Sequence, residues 1–295
     1  MPQAERNGNR ADRQKGWWIA WPFLVPFLLF YGVFLVYPAI QVGLLSLSNS
    51  DLAGRGQFIG FANYLELAGD RDFWASLWHT LYFILLTVVP NTTVGFLFAL
   101  LIVRLSRIRL AILSAFFLPY ILPVSVVTTA AIWLLDANFG IVSYIFNSQI
   151  AWFADPTFAM PGVALVTIWW TVGFNMLLFI AGLQNIPAEV YEASALDGAS
   201  GLQRFFFITC PLIWPVASLV LILQLILQFK IFDQVYLLTH GGPYNSTVVV
   251  LFYMYSEAFQ LNRGGYGATI AVVLVIIIIV VSAMQFRLFN LGRSK

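Results

Sequence analysis

Glu192, Asp197 and Arg204 are the residues best placed to act specifically, because they stand close together in a chain of which only 9% is charged. They lie in a short polar island, Glu192-Ala-Ser-Ala-Leu-Asp-Gly-Ala199, which leads through Ile208-Thr-Cys-Pro211 into a long apolar segment. Carboxylates beside a run of small residues suit non-covalent docking: charge fixes a partner and the slim Ala193, Ser194, Ala195 and Ala199 let its surface approach. The rest of the chain offers little for covalent chemistry. The single cysteine, Cys210, excludes an intramolecular disulfide and a Cys-rich metal site and reads as a small apolar filler. The only lysines are Lys15, Lys230 and Lys295, and none ends a Gly-x-x-x-x-Gly-Lys-Ser/Thr loop, so the backbone cradle that holds ATP phosphates is missing. No catalytic residue and no metal ligand set is assigned.

The composition says what must surround this island. The 295 residues are 60% hydrophobic, with mean hydropathy +0.85, whereas soluble domains are about a quarter charged. The excess falls in long runs near 17–47, 76–103, 110–135, 160–184, 210–229 and 268–289, each able to cross a hydrocarbon core that needs about 20 apolar residues in a helix. The expected fold is all-α and polytopic, with six transmembrane helices. The first run follows Arg6, Arg10, Arg13 and Lys15 but is too long for a signal peptide. It is expected to be an uncleaved span behind a disordered cytosolic tail over 1–16, with residues 17–295 forming the membrane domain. With both termini cytosolic, eleven Lys and Arg residues fall inside and four outside, as the positive-inside rule requires. The island is then cytosolic, and the longer loops around 48–75, 136–159 and 231–267 face outward. A net charge of +2 with dispersed basic residues gives no sign of a nucleic-acid partner. Trp17, Trp18, Trp21, Trp74, Trp78, Trp152 and Trp214 lie near span ends, as in an interfacial aromatic belt.

Polar side chains inside spans avoid lipid and face a cavity or another helix. Asn91 with Thr92 and Thr93, Thr128 with Ser125 and Thr129, Trp170 and Asn175 in the fourth run, and Gln224 with Gln228 are such residues. Gln224 and Gln228 share a helix face. Asn and Gln both donate and accept, and so suit sugar hydroxyls. Asn91, Thr128, Trp170, Asn175, Gln224 and Gln228 are therefore candidates for a translocation path, with helix–helix bonding as the alternative for each. Lys230 and Asp233 are expected to pair structurally at the outer end of the fifth run.

In the island, Pro187 fits a first helical turn, Asn185 can cap it, and Glu189 favours the positive end of the helix dipole. Asp197-Gly198 supplies the stop. A second helical stretch over Leu202–Ile208 then gives a helix-turn-helix at the membrane surface. The spacing Glu192-Ala-Ser, three residues, Gly198, nine residues, Ile208, one residue, Cys210-Pro211 resembles the EAA loop of permease subunits in ATP-binding-cassette importers. Ser194 stands for the third Ala of that pattern and Cys210 for its Leu, and Asp197-Gly198-Ala199 is typical of the carbohydrate branch. Tyr37-Pro38, Leu118-Pro119, and Tyr236-Leu-Leu-Thr-His-Gly-Gly-Pro243 before the last span extend the likeness over nearly the whole chain. The chain is similar to the larger permease of maltose-type, binding-protein-dependent systems.

The resemblance implies a type I importer permease fold, with 187–211 as the coupling loop and Glu192, Ala193, Ser194, Asp197, Gly198 and Ala199 touching the ATPase. It implies a second homologous permease forming a heterodimer, two copies of a cytosolic ATPase, and an extracytoplasmic solute-binding protein that docks on Gly241, Gly242, Pro243 and Tyr244. ATP and Mg would be bound by the ATPase subunits, with no cofactor on this chain. The solute would be a sugar or sugar-like molecule, carried across the bacterial cytoplasmic (inner) membrane by alternating access. The competing reading, an ion-coupled secondary transporter, normally needs intramembrane carboxylates, and no Asp or Glu falls inside the runs. A non-transporting scaffold would not explain the polar residues within them.

Overall fold

The computed structural model describes residues 21–105, 108–147 and 149–291; the tail expected over 1–16, with Trp17 and Trp18, lies outside them. In chain order the helices are α1 (Trp21–Leu45), α2 (Ala62–Gly69), α3 (Arg71–Val103), α4 (Arg109–Ile121), α5 (Val124–Leu134), α6 (Ile141–Phe146), α7 (Pro156–Gln184), α8 (Ala188–Leu196), α9 (Gly201–Phe229), α10 (Asp233–Leu238), α11 (Val250–Tyr255) and α12 (Gly264–Leu291). The fold is all-α. Five helices (α1, α3, α7, α9 and α12) are long and apolar enough to cross a membrane.

The third predicted span is not one helix. Its run divides into α4 and α5, bent by 102°. Pro123 causes the break, because proline disfavours helical backbone in the residue before it, and Leu122 is extended at φ −70°, ψ 141°. Pro90, Pro161 and Pro215 lie inside helices that continue through them. Two spans also begin earlier than their apolar runs suggest. α3 starts at Arg71, where the Asp70 carboxylate caps the amides of Asp72 and Phe73 at 2.9 and 3.3 Å. α9 starts at Gly201 and includes a wide π turn over Phe205–Thr209.

The chain divides into two compact units. The first takes in the chain up to Ala68 and Glu257–Val272. Here Asn63 donates to the carbonyls of Ser46 and Ser48 at 3.0 and 2.8 Å, and Thr269 donates to Ser46 at 3.0 Å. Arg263 pairs with Glu66 and, at 2.9 Å, with Glu257. Burial alone would lower the Arg263 pKa; the hydrogen bond to Glu66 and the charges of Glu66 and Glu257 outweigh it and hold the group above its ordinary value. These two are the ion pairs among the described residues. Lys230 and Asp233 are both exposed and do not pair: Lys230 ends α9 and Asp233 opens α10, where a carboxylate already meets the positive helix end.

The second unit, Gly69–Ser256 with the chain from Val273, holds α3 to α11. Two apolar clusters fill it. One gathers Phe83, Val127, Met160, Val163, Val235 and Val249, the other Ala99, Met176, Phe179, Ile213 and Val220. Trp152 packs against the first cluster and so belongs to the core, unlike Trp21, Trp74, Trp78 and Trp214, which are exposed. Gly173 sets the distance between α4 and α7: a Cβ there would lie 2.0 Å from the Phe116 carbonyl oxygen. Replacing Gly173 with Ala is expected to cost about 3 kcal/mol by overpacking, read as a lower apparent melting temperature of the detergent-purified protein.

Candidate functional site

The polar island forms a short exposed helix with a defined stop. α8 runs from Ala188 to Leu196 behind an N-cap at Pro187 that makes no side-chain cap bond. Asn185 instead closes α7 as its C-cap, so the expected Asn185 cap and the placement of Pro187 in the first turn are both corrected. The chain needs Asn185 and Ile186 to turn out of α7, and the helix cannot begin until Pro187 has set its extended ψ of 137°. The stop is as the sequence suggests. Gly198 is left-handed at φ 77°, its N–H donates to Ala195 at 3.2 Å, and Ala199 N–H donates to Ser194 at 3.0 Å. Those two bonds make a Schellman motif, which satisfies the last carbonyls of the helix.

Glu192, Ala193 and Asp197 are exposed, Ala199 is half-buried and Ser194 is buried. Ser194 donates to the Tyr191 carbonyl at 2.8 Å, and the Tyr191 hydroxyl bonds the Thr209 hydroxyl at 3.1 Å. One face of α8 is thus tied to the base of α9, and the opposite face, with Leu196 at 90% exposure, is open. A Cβ on Gly198 would meet nothing within 4 Å, so within this chain only its backbone angle calls for glycine. The second helix expected over Leu202–Ile208 is not separate. Ser200 and Gln203 form a capping box, Ser200 N–H to Gln203 Oε1 at 2.7 Å and Gln203 N–H to Ser200 Oγ at 3.3 Å, and the helix they start runs on into the fifth span. The Ser-x-x-Gln spacing carried that signal in the sequence.

Four of the six candidate path residues meet at one place. Asn91 on α3 donates to the Thr171 hydroxyl of α7 at 2.7 Å and to Gln224 Oε1 of α9 at 3.4 Å. Gln224 donates to Asn175 Oδ1 at 2.7 Å, and Gln228 donates to Gln224 Oε1 at 3.0 Å. All four amides are buried. Asn91 Oδ1 and Asn175 Nδ2 have no partner among the described residues. Thr171 was not singled out in the sequence. The other two candidates lie elsewhere: Thr128 on α5 donates to its own helix at Val124 (2.9 Å), and Trp170 has a buried indole N–H without an acceptor.

The loop between α10 and α11 is tightly knit. Thr247, fully buried, donates to the Gly242 carbonyl at 2.8 Å and bonds the Thr239 hydroxyl at 2.7 Å. From α3, His79 Nδ1 bonds the Val248 carbonyl at 3.0 Å, and the Thr80 hydroxyl accepts from Val250 N–H at 3.0 Å. His240, Gly241, Tyr244 and Asn245 have positive φ. Held this way, Gly241, Gly242 and Pro243 form the base of the turn and Tyr244 projects at 93% exposure.

Over residues 67–290 the sequence matches the family described as binding-protein-dependent transport system inner membrane component. The chain belongs to that family. Among its relatives, the sulfoquinovosyl glycerol transport system permease protein of Agrobacterium fabrum is 32% identical, covering 90% of this chain and 89% of that one. The arabinooligosaccharides transport system permease protein of Bacillus subtilis is 33% identical, covering 90% and 87%. A chain from the crystal structure of a bacterial ABC transporter that imports the acidic polysaccharide alginate superposes with a TM-score of 0.82 at 22% identity, covering 97% of this chain and 98% of its own; this likeness shows the fold. The protein is therefore a permease component of an ABC importer, and the fold expected from its sequence is the one it has.

The amide network gives a direct test of packing within the permease. Replacing Gln224 with Leu leaves Asn91, Asn175 and Gln228 short of a partner and is expected to cost about 1–2 kcal/mol. A double-mutant cycle with Asn91→Leu, followed by thermal unfolding, should show coupling between the two sites; strictly additive losses would separate them.

Proposed function

We propose that this permease carries a saccharide or saccharide-like solute inward, and that the exposed face of α8 is where a cytosolic ATPase drives it. The observation that carries the reading is the geometry of α8: one side bonded to the span base through Tyr191 and Thr209, the other side open, with Glu192, Leu196 and Asp197 exposed on it. The saccharide class rests on relatives whose names specify sulfoquinovosyl glycerol and arabinooligosaccharides. ATP and Mg belong to the ATPase subunits, of which two copies are proposed, with both permease termini on their side of the membrane.

A second homologous permease completes the proposed assembly. In support, α1 carries large apolar side chains, Phe23, Phe27, Phe30 and Phe34 among them, that stand exposed. On the outer face, the turn bearing Gly241, Gly242, Pro243 and Tyr244 is proposed to meet the solute-binding protein. In one related-fold structure the transporter is in complex with an alginate pentasaccharide-bound periplasmic protein. Of the candidate path residues, Asn91, Asn175, Gln224 and Gln228 are proposed to act through the amide network that joins α3, α7 and α9, whereas Thr128 and Trp170 are proposed as separate contacts.

The test is solute-stimulated ATP hydrolysis and uptake by the complex reconstituted with its binding protein. Replacing Gly198 with Asp puts a charged side chain into the space where the ATPase would sit, and uptake is expected to fall about tenfold or more while hydrolysis continues. Gly198→Asn, which tolerates the left-handed backbone without charge, should retain most uptake. Normal uptake by the Asp variant would remove α8 from the coupling path.

A further inference from the structure

We propose that the cleft between the end of α5 and α6 is an outer-face subsite for one residue of a neutral saccharide. This inference rests on the importer reading above and on the outward placement of this loop. The cleft, about 610 Å³ in volume, is lined by Asn138, Phe139, Ser143, Tyr144, Asn147 and Gln149 among others, and falls within the range of small-molecule sites.

Three features of the cleft point to a sugar. Asn138, Asn147 and Gln149 are exposed, and among the described residues their side-chain amides have no hydrogen-bond partner. Three amides lining one cleft are both donors and acceptors, as ring hydroxyls require. Phe139 and Tyr144 stand 67% and 87% exposed beside them, offering aromatic faces to the C–H side of a sugar ring. Neither Lys nor Arg is among the lining residues, and the Asp136 carboxylate stands beside them, accepting from Asn138 N–H at 2.8 Å and Phe139 N–H at 3.1 Å. An anionic sugar would therefore meet a negative group with no compensating cation.

The cleft also has a continuation. The Phe139 ring meets Trp133 edge-on at 5.9 Å, and Trp133, Thr129 and Ser125 follow at four-residue intervals down one exposed face of α5. That spacing keeps them in line over about 12 Å. The same stripe lines a shallow groove of about 520 Å³. The opposite face of α5, with Val127, Ala131 and Leu135, is packed into the core. Hydroxyls and an indole on the open face form a track from the cleft toward the α4–α5 break.

The experiment measures equilibrium binding of a radiolabelled neutral arabinose pentasaccharide to the assembled complex in lipid nanodiscs, without binding protein. The Asn138→Ala/Gln149→Ala double variant and Tyr144→Ala are each expected to weaken binding about tenfold or more, as lost hydrogen bonds and stacking do, and to raise the KM for uptake more than they lower kcat. Tyr144→Phe keeps the ring and should restore binding. The subsite is overturned by unchanged binding in both variants, by no binding to the wild-type complex, by preference for a uronate pentasaccharide, or by loss of the partner permease from the variant complex, which would make the cleft a subunit contact. If the wild-type complex with its binding protein takes up no saccharide, the importer reading itself fails; normal saccharide uptake by unaffected variants removes the subsite alone.

Discussion

The Gln224 carboxamide sits at membrane depth, where no bulk water replaces a lost partner, and much of the second unit is arranged so that it needs none. Its oxygen accepts from Asn91 and Gln228 and its nitrogen donates to Asn175. Satisfying one amide thus fixes the mutual register of three spans. Polar bonds between membrane helices are individually modest, about 0.6 kcal/mol on average, but they are directional, and apolar contact alone would let α3, α7 and α9 slide. Gly95 allows the approach this requires, since a Cβ there would come within 2.9 Å of the Asn175 Cβ. The unpartnered Asn91 Oδ1 and Asn175 Nδ2 mark where this arrangement has capacity to spare.

The same scarcity of water explains where the backbone breaks. Non-helical backbone within a membrane is tolerated where protein or a wet cavity covers it. At Pro90, Pro161 and Pro215 the helices continue, with neighbouring turns carrying the load. At Pro123 two effects coincide: Pro119 has already removed a donor from the last turn of α4, and Pro123 forces Leu122 into extended backbone. The chain bends by 102° there. The close seat of Gly173 on the Phe116 carbonyl anchors α4 on one side of the break, and the core residues of α5 anchor the other.

Much of this was legible in the sequence. Five of the six expected spans, the apolar cores and the Gly198 stop follow from run length, hydropathy and the one residue that adopts a left-handed backbone without strain. The four-residue spacing of Gln224 and Gln228 placed them on one face, where they bond. What the sequence concealed was three-dimensional. Hydropathy could not tell the broken third span from a continuous one, because Leu122 and Pro123 are as apolar as their neighbours. Thr171 looked like any helical threonine until Asn91 was found opposite it, eighty residues away in the chain. The expected Lys230–Asp233 pair failed because closeness in sequence is not closeness in space when a helix ends between the two residues. Capping at Asn185 failed for a related reason: the end of α7 had first claim on that residue.

The continuity of α9 bears most directly on mechanism. Read as a separate surface helix, the segment after Gly198 would have to pass any push on through a flexible joint. Capped at Ser200 and continuous to Phe229, it leaves no loop between Thr209, near its cytosolic end on the proposed orientation, and Gln224 fifteen residues further on, about 22 Å along the axis. Tyr191 ties α8 to the first of these points, and the amide network ties α3 and α7 to the second. A displacement of α8 by a docked ATPase would therefore reach the network without first being absorbed by a loop. If such a displacement moves α9 against α3 and α7, the bonds of Gln224 are the ones in line to exchange partners, beside Asn91 Oδ1 and Asn175 Nδ2.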